Sequence, residues 1–205
     1  MRDRQFVGDS LLAHGSSLLL RRGNGKVRRP TWAAESFFGL QCPHMFQWVD
    51  VDGRFKLAQM PKPLGGVDGL DRSMRALKAW GVDVLVSLLT DDEMERFCLQ
   101  DQDERARFRG IELRRFPIED HQVPVSIDDT VAFAQTLLAE LEAGTSVVLH
   151  CFAGIGRSGL MAATVLHLAG FAMADACERL TRARGCRVPE TAAQRDWLEA
   201  LAQQR

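Results

Sequence analysis

The sequence predicts an α/β fold with a central, mostly parallel sheet of about four to five strands flanked by helices. Two observations lead to this fold class. From about residue 55 onward, short apolar runs alternate with segments that carry the 3.6-residue helical period. Residues 82–89 are apolar except for Asp83 and Ser87, as expected for a strand that is covered on both faces. A length of 205 residues with 46% hydrophobic residues suits one such domain.

The first half of this pattern contains two strands and two helices. Residues 55–61 (FKLAQMP) predict an early strand, and residues 71–81 predict a helix that ends at its terminal glycine. After the central strand, Thr90 and Glu93 have the capping-box spacing, in which each side chain accepts a hydrogen bond from a free backbone N–H at a helix start. We therefore expect a helix from this point to about Gln100.

The second half continues the alternation of strands and helices. Residues 110–118 (GIELRRFPI) predict a third strand. Ser126 is a suitable N-cap for a helix with apolar residues at the helical period, and Gly144 ends that helix. Residues 146–150 (SVVLH) predict a short buried strand, and residues 158–170 predict an apolar helix. The peptide between these last two elements must turn sharply from a strand into a helix.

Charge and cysteine content exclude several classes of protein. The formal net charge of −1 at pH 7 gives no reason to expect nucleic acid or an anionic membrane as a partner. The five cysteines are odd in number, widely spaced and without a CxxC pair. Neither a disulfide framework nor a zinc site is therefore indicated. A reducing, cytoplasmic setting fits this pattern best.

The first 50 residues differ in composition from the rest. Residues 1–30 contain seven Lys and Arg against two acidic residues, and their Gly, Asn, Arg and Pro content is typical of a solvated segment. Their apolar stretches are too short for a secretory core or a membrane span. We expect a basic, flexible extension over residues 1–50 and one folded domain over residues 51–205. An Arg-rich transit segment is the alternative for the extension.

Residues 150–158 carry the chemistry. They read His150-Cys-Phe-Ala-Gly-Ile-Gly-Arg-Ser158 and lie where the last strand turns into the apolar helix, a position at which open α/β sheets bind ligands. Gly154 and Gly156 relax the backbone so that successive N–H groups can converge on one point, and the helix N-terminus adds partial positive charge. The loop therefore predicts a binding site for a tetrahedral anion such as phosphate.

Four side chains in this segment have distinct predicted roles. Cys151 begins the cluster of N–H groups, which favours its thiolate and makes it a nucleophile. Arg157 can bind two phosphoryl oxygens with its planar fork. Ser158 can donate a hydrogen bond to the sulfur and help it leave, and His150 orders the loop. The residues expected to bind the phosphoryl group are Phe152, Ala153, Gly154, Ile155, Gly156 and Arg157.

A second Cys and Arg pair serves as an internal comparison. Cys177 is followed by Arg182, one residue short of the spacing from Cys151 to Arg157. The intervening residues ERLT include no glycine and continue a helical pattern. We therefore expect no anion site at this pair.

The loop at residues 150–158 resembles the HCx5R[S/T] loop of the cysteine-based phosphatases, and its GIGRSG run is similar to the GxGRSG form of dual-specificity and kinase-associated phosphatases. The resemblance covers roughly residues 55–200. It implies a dual-specificity phosphatase-like fold with residues 51–205 as the catalytic domain. It also implies hydrolysis of phosphate monoesters on phosphoproteins through a phosphocysteine intermediate, without a metal or another cofactor.

The same resemblance identifies an acid loop and a late supporting residue. The run FPIEDHQVP is similar to the acid loop of dual-specificity phosphatases, in which Asp120, about thirty residues before Cys151, would protonate the leaving oxygen. Glu119 and His121 are the local alternatives for this acid. The run RARGCRVPETAAQRDWL is similar to the family's late segment. There Gln194 would position the water that hydrolyses the intermediate.

Two departures from the family bear on substrate choice. The chain contains no Tyr and no recognisable phosphotyrosine-recognition loop, so a shallow pocket that accepts phosphoserine, phosphothreonine and phosphotyrosine is expected. Phe152 and Ile155 stand in a stretch where phosphoinositide phosphatases of this class have lysines, which disfavours lipid substrates. Two other functions remain as alternatives: a catalytically inactive phosphate-binding module, and another enzyme with a cysteine anion loop, such as a sulfurtransferase.

Overall fold

The structure, a computed structural model, describes residues 47–204. Within this range the strands are β1 (Gln47–Trp48), β2 (Leu57–Met60), β3 (Val84–Ser87), β4 (Glu112–Arg115) and β5 (Val147–His150). The helices are α1 (Val67–Ala79), α2 (Asp91–Arg96), α3 (Gln102–Phe108), α4 (Ile127–Glu142), α5 (Arg157–Leu168), α6 (Met173–Arg184) and α7 (Ala192–Gln203).

The strands form one five-stranded sheet in the order β1-β2-β5-β3-β4. β1 runs antiparallel to β2, and all other neighbours are parallel. β5 is the central strand, and its last residue, His150, pairs with Met60 on one side and with Ser87 on the other. The predicted α/β fold with a mostly parallel sheet of about four to five strands is confirmed.

Two hydrophobic clusters cover the two faces of the sheet. In β3, Val84 and Val86 belong to the cluster that includes apolar residues of α4, α5, α6 and α7, whereas Leu85 belongs to the cluster with residues of α1, α2 and α3. All four residues of β3 are buried. The apolar run in the sequence therefore reflects a central strand with helices on both sides, since alternate residues of a strand point to opposite faces.

The capping box forms as predicted, but the helix behind it is shorter than expected. The Thr90 side chain accepts a hydrogen bond from the Glu93 N–H, and the Glu93 side chain accepts one from the Thr90 N–H. The helix ends at Arg96 rather than near Gln100, because Cys98 adopts a left-handed φ of 54° that is incompatible with a continuing helix. α3 was not predicted, since its sequence QDERARF has too few apolar residues for a clear helical period.

The start of the sheet differs from the predicted domain boundary. β1 lies within residues 1–50 and pairs with β2, so the sheet begins before residue 51. The rest of the predicted extension, residues 1–46, lies outside the described residues. Its flexible character therefore stays a prediction.

Two further features bear on the cellular setting. Cys98, Cys151 and Cys177 are free thiols, but Cys186 is disulfide-bonded, which corrects the expectation that the cysteine pattern indicates no disulfide. A disulfide also removes the support that cysteine usage lent to a reducing compartment. Among the helices of residues 47–204, none has the length and apolar character needed to cross a membrane.

Candidate active site

The carboxyl ends of the parallel strands bring four loops together. His150 ends β5 beside Met60 at the end of β2 and Ser87 at the end of β3, and Ser87 pairs with Arg115 at the end of β4. Because parallel strands end at the same edge of a sheet, the segments that follow them meet there. These segments are residues 61–66, 88–90, 116–126 and 151–156. The predicted phosphate loop and the predicted acid loop therefore lie at one edge.

The phosphate loop needs glycine at two positions, for different reasons. Gly154 has a φ of 71°, and a Cβ there would lie 2.2 Å from the carbonyl carbon of Met60. Gly156 has an ordinary φ of −74°, but a Cβ there would lie 2.9 Å from Oε1 of Gln194. A side chain at Gly154 would strain the backbone and collide with the end of β2. A side chain at Gly156 would displace the amide of Gln194.

Three successive carbonyl groups of this loop are hydrogen-bonded to neighbouring segments. The Lys62 N–H donates to the carbonyl of Phe152 at 3.0 Å. Arg184, on α6, donates from Nη2 to the carbonyl of Ala153 and from Nε to that of Gly154, each at 2.8 Å. With these carbonyls engaged outside the loop, its N–H groups can face an anion. Sequence reasoning missed Arg184, because no local pattern distinguishes it from the other arginines.

Cys151 lies at the base of this loop and is only 3% exposed. The N–H of Gly154 donates to its Sγ at 3.3 Å, and the Oγ of Ser158 lies 3.4 Å from the same sulfur. The sulfur therefore lies within reach of one backbone donor and one hydroxyl at the base of the loop.

Arg157 is the first residue of α5 and is 1% exposed. Its Nη1 donates to Oε2 of Glu93 at 2.7 Å and to the carbonyl of Ile118 at 2.9 Å. Its Nη2 donates to Oε1 of Glu93 at 2.9 Å and pairs with Oδ1 of Asp120 at 2.8 Å. Burial alone would lower the pKa of Arg157, but the Glu93 hydrogen bond and the nearby negative charges raise it above its ordinary value. The guanidinium is therefore held in place as a permanent cation.

Glu93 is a site residue that sequence reasoning assigned only to helix capping. One of its oxygens, Oε2, accepts the Thr90 N–H at 3.0 Å and also accepts Nη1 of Arg157. The carboxylate that starts α2 thus also orients the arginine of the phosphate loop. The capping-box spacing was a local signal for Glu93, but the contact with Arg157 joins residues 64 positions apart. Only the fold reveals it.

Replacement of Glu93 by Gln tests this double function through stability. Burial raises the pKa of Glu93, but hydrogen bonds from Arg157 and Thr90 outweigh burial and hold the pKa below its ordinary value. The stabilisation from this carboxylate is therefore complete above the ordinary glutamic acid pKa and is lost as the pH falls through the lowered pKa. At pH 7 we expect Glu93→Gln to destabilise the fold by about 3 kcal/mol.

Urea unfolding at pH 7 and at about pH 3 measures this effect, and the difference between wild type and Glu93→Gln should shrink at the lower pH. Glu95→Gln, on the exposed side of the same helix, is the matched control and should change stability little. Equal destabilisation by both substitutions would contradict the assignment.

The acid loop places Asp120 next to Arg157. The Asp120 side chain is 51% exposed, so one part of it reaches solvent while Oδ1 contacts the guanidinium. The alternative acids lie in the same turn: Glu119 is exposed, and Nε2 of His121 lies 3.5 Å from Oδ2 of Asp120. Of the three, Asp120 is the one that contacts Arg157. The structure therefore brings Asp120, rather than Glu119 or His121, into contact with the predicted phosphate-binding arginine.

Backbone hydrogen bonds anchor the acid loop at two points. The N–H of Ile118 donates to the carbonyl of Leu88 at 3.1 Å. The carbonyl of Gln122 accepts Nε2 of Gln194 at 3.1 Å, and Oε1 of Gln194 accepts the N–H of Thr191 in a capping box at the start of α7. Gln194 is buried, and its Oε1 lies 2.9 Å from the position that a Cβ on Gly156 would occupy. Its side chain therefore connects the acid loop to the phosphate loop.

His150, the residue before Cys151, is fully buried at the end of β5. Burial lowers its pKa to about 3, so the imidazole is neutral at physiological pH. Its Nε2 lies 2.9 Å from Nε2 of Gln102, the first residue of α3. The unpredicted helix α3 therefore fixes the histidine that precedes the nucleophile.

The side chains that follow Cys151 form a rim rather than the anion site itself. Phe152 is 42% exposed and stacks on Phe97 with ring centroids 5.2 Å apart. Nζ of Lys62 lies 4.9 Å from the centroid of the Phe97 ring. Ile155 packs against the core cluster. A phosphate would therefore meet backbone N–H groups inside the loop and an aromatic edge with one cation outside it.

Comparison with known proteins shows which family has this architecture. The family model described as a polymorphic toxin system DSP-PTPase phosphatase matches residues 61–170, more than half of the chain. None of the curated proteins compared with this chain matches it.

Several solved structures share the fold of this chain. A kinase associated phosphatase, solved with its catalytic-site cysteine replaced by serine, is 20% identical with a TM-score of 0.70, covering 80% of this chain and 97% of that one. Tk-PTP in its active form is 26% identical with a TM-score of 0.60, covering 78% and 98%. PTPMT1, solved in complex with PI(5)P, is 19% identical with a TM-score of 0.63, covering 78% and 96%.

The site geometry, the family match and the shared fold agree. A free cysteine, a buried arginine and a glycine-containing loop follow a central strand, and the matched region includes all three. The chain belongs to the DSP-PTPase phosphatases of the cysteine-based dual-specificity and tyrosine phosphatase superfamily.

Proposed function

We propose that this phosphatase hydrolyses phosphate monoesters on phosphoproteins through a phosphocysteine intermediate, with Cys151 as the nucleophile. The observation that supports this most is the position of Arg157, held by both oxygens of Glu93 beside a cysteine that accepts a backbone N–H. A cation held in this way stabilises the charge that develops on a phosphoryl group during transfer.

Binding of the phosphoryl group changes the partner of Asp120. In the free enzyme Nη1 donates to Glu93 and to the Ile118 carbonyl, and Nη2 donates to Glu93 and forms an ion pair with Asp120. A two-pronged contact through Nε and Nη2 therefore requires a phosphate oxygen to replace the Asp120 carboxylate on Nη2. The displaced Asp120, half-exposed, then lies above the phosphate where the leaving oxygen emerges. Cys151 attacks phosphorus in line, and Asp120 protonates the leaving alcohol.

Several features favour turnover of phosphoproteins over the alternatives. Cys151, Arg157 and Asp120 are all present and close together, which argues against an inactive binding module. No lysine stands between Cys151 and Arg157, which disfavours a phosphoinositide headgroup, although PTPMT1 was solved with PI(5)P. The expected partner is a phosphoprotein, and neither nucleic acid nor a membrane is needed. The cytoplasmic location stays a prediction.

A substrate panel in the presence of EDTA tests the proposal. Purified wild type should release phosphate from phosphoserine, phosphothreonine or phosphotyrosine peptides and should retain this activity without metal. Phosphoinositide vesicles and a thiosulfate:cyanide assay form the two comparison arms. Faster turnover of phosphoinositides than of any peptide, or sulfur transfer without phosphate release, would contradict the proposal.

Asp120→Asn tests whether Asp120 is the acid, because the loss of kcat should then depend on the leaving group of the substrate. A phosphoserine peptide needs a proton on its alkoxide leaving group, whereas p-nitrophenol departs readily without one. We expect kcat for the peptide to fall by about 10²-fold or more and kcat for p-nitrophenyl phosphate to fall much less. Asp128→Asn, at the exposed start of α4, is the control. Equal losses on both substrates would mean that Asp120 is not the acid.

A further inference from the structure

Glu190 places a second carboxylate beside the phosphate loop. It lies between α6 and α7, and its Oε2 is 3.2 Å from the position of a Cβ on Gly156. Gly156 is the loop residue directly before Arg157, so this carboxylate lies next to the loop that binds the phosphoryl group. Its side chain is 45% exposed, which gives it access to water. No local pattern in the sequence predicts a role for Glu190.

Glu190 and Asp120 flank the same side chain at the mouth of the site. Nε2 of His121 lies 3.5 Å from Oδ2 of Asp120, and Nδ1 of the same ring lies 3.9 Å from Oε2 of Glu190. The two carboxylates therefore approach the site from opposite sides of one imidazole. Asp120 contacts the guanidinium of Arg157, whereas Glu190 lies against the neighbouring glycine.

The amide of Gln194 adjoins Glu190 but cannot accept the proton of an attacking water. Both side chains lie within 3.2 Å of the same Cβ position on Gly156. Gln194 already accepts the Thr191 N–H and donates to the Gln122 carbonyl, and a neutral amide is not a base at physiological pH. A water positioned by Gln194 would therefore have a carboxylate, Glu190, beside it.

We propose that Glu190 is the catalytic base of the second step, the hydrolysis of phosphocysteine, while Asp120 is the acid of the first. In the first step the Cys151 sulfur bonds to phosphorus, the P–O bond to the alcohol breaks, and Asp120 gives its proton to the leaving oxygen. In the second step water bonds to phosphorus, Glu190 takes the proton of the water, and the S–P bond breaks with its electron pair returning to Cys151.

The proton balance closes through solvent. Each turnover leaves Asp120 without a proton and Glu190 with one. Both side chains are about half-exposed, so Glu190 returns its proton to water, and Asp120 takes up a proton from water when the phosphate displaces it from Arg157. The assignment of the acid to Asp120 and of the base to Glu190 rests on the proposed function, because a separate second step requires a phosphocysteine intermediate.

The test measures two quantities for each variant with a phosphoserine peptide labelled on its phosphate. These are kcat at steady state and the fraction of enzyme that carries covalent phosphate after a rapid denaturing quench. For Glu190→Gln we expect kcat to fall by about 10²-fold while the phosphoenzyme fraction rises toward one. For Asp120→Asn we expect kcat to fall while the phosphoenzyme fraction decreases. Glu199→Gln, exposed on α7, is the matched control and should leave both quantities near the wild-type values.

The outcomes separate this proposal from the one on which it rests. A phosphoenzyme that accumulates in Glu190→Gln also shows that the variant is folded, since only a folded site forms it. Unchanged kcat in Glu190→Gln, or a loss of kcat without phosphoenzyme accumulation, overturns the assignment of Glu190 as base. An inactive wild type without any phosphoenzyme would instead overturn the proposed function.

Discussion

Cys151→Ser is expected to abolish turnover of phosphate monoesters while the protein still binds them. A serine hydroxyl at this position has no comparable anionic form, so kcat should fall by about 10⁴-fold or more. The loop itself should remain intact, because its carbonyl groups are bonded to Lys62 and Arg184 rather than to the sulfur. Phosphate release and calorimetric titration with a phosphopeptide measure the two quantities on one sample.

Cys177→Ser is the matched control for this result. Cys177 is a free, half-buried thiol on α6, and burial raises its pKa, so it is a poor nucleophile at neutral pH. Its companion Arg182 lies on the same helix and pairs with Glu178. Activity should be essentially unchanged in this variant. Turnover of Cys151→Ser within about tenfold of wild type would overturn the assignment of the nucleophile.

Arg157→Lys is expected to produce the second large effect, on both binding and turnover. The wild-type guanidinium contacts Glu93 with two nitrogens, the Ile118 carbonyl with one and Asp120 with one. The single ammonium nitrogen of lysine cannot make all of these contacts and also donate two hydrogen bonds to a phosphate. We expect kcat/KM to fall by about 10³-fold or more.

Thermal unfolding with and without inorganic phosphate separates loss of binding from loss of fold. Wild type should gain stability in phosphate by mass action, whereas Arg157→Lys should gain little. Arg182→Lys, at an exposed position of α6, keeps the same chemical change away from the site and should resemble wild type in both assays. Unchanged kinetics in Arg157→Lys would mean that another group binds the phosphate.

Features that depend on a few consecutive residues could be predicted from the sequence. The strand run at residues 82–89 and the helix start at Thr90 correspond to β3 and α2, because apolar periodicity and capping are local. The helix N-cap at Ser126 also forms as expected. α3 carries only a weak apolar period, since few of its residues face the core, so its sequence did not reveal it.

Features that depend on partners distant in the chain could not be predicted in this way. The sequence indicated Glu93 as a helix cap but not as the hydrogen-bond partner of Arg157. Nothing in the sequence distinguished Arg184 from the other arginines or Glu190 from the other acidic residues. Each lies at the phosphate loop but belongs to a distant part of the chain: Glu93 to α2, Arg184 to α6, and Glu190 to the segment between α6 and α7. Their proximity depends on the register of the parallel strands and on the packing of the helices against the sheet.

By itself, the sequence predicted the chemical character of this protein. The order Cys-x5-Arg with its glycines, between a buried strand and an apolar helix, predicts an anion loop with a nucleophilic cysteine, because loop backbone, helix start and cysteine are adjacent in the chain. The tertiary structure alone showed that two further carboxylates, Glu93 and Glu190, lie at that loop in addition to the predicted Asp120. Glu93 and Asp120 follow β3 and β4, and they meet at the loop because these parallel strands end at the same edge as β5. Glu190 lies between α6 and α7, so the packing of these helices against the sheet places it beside Gly156.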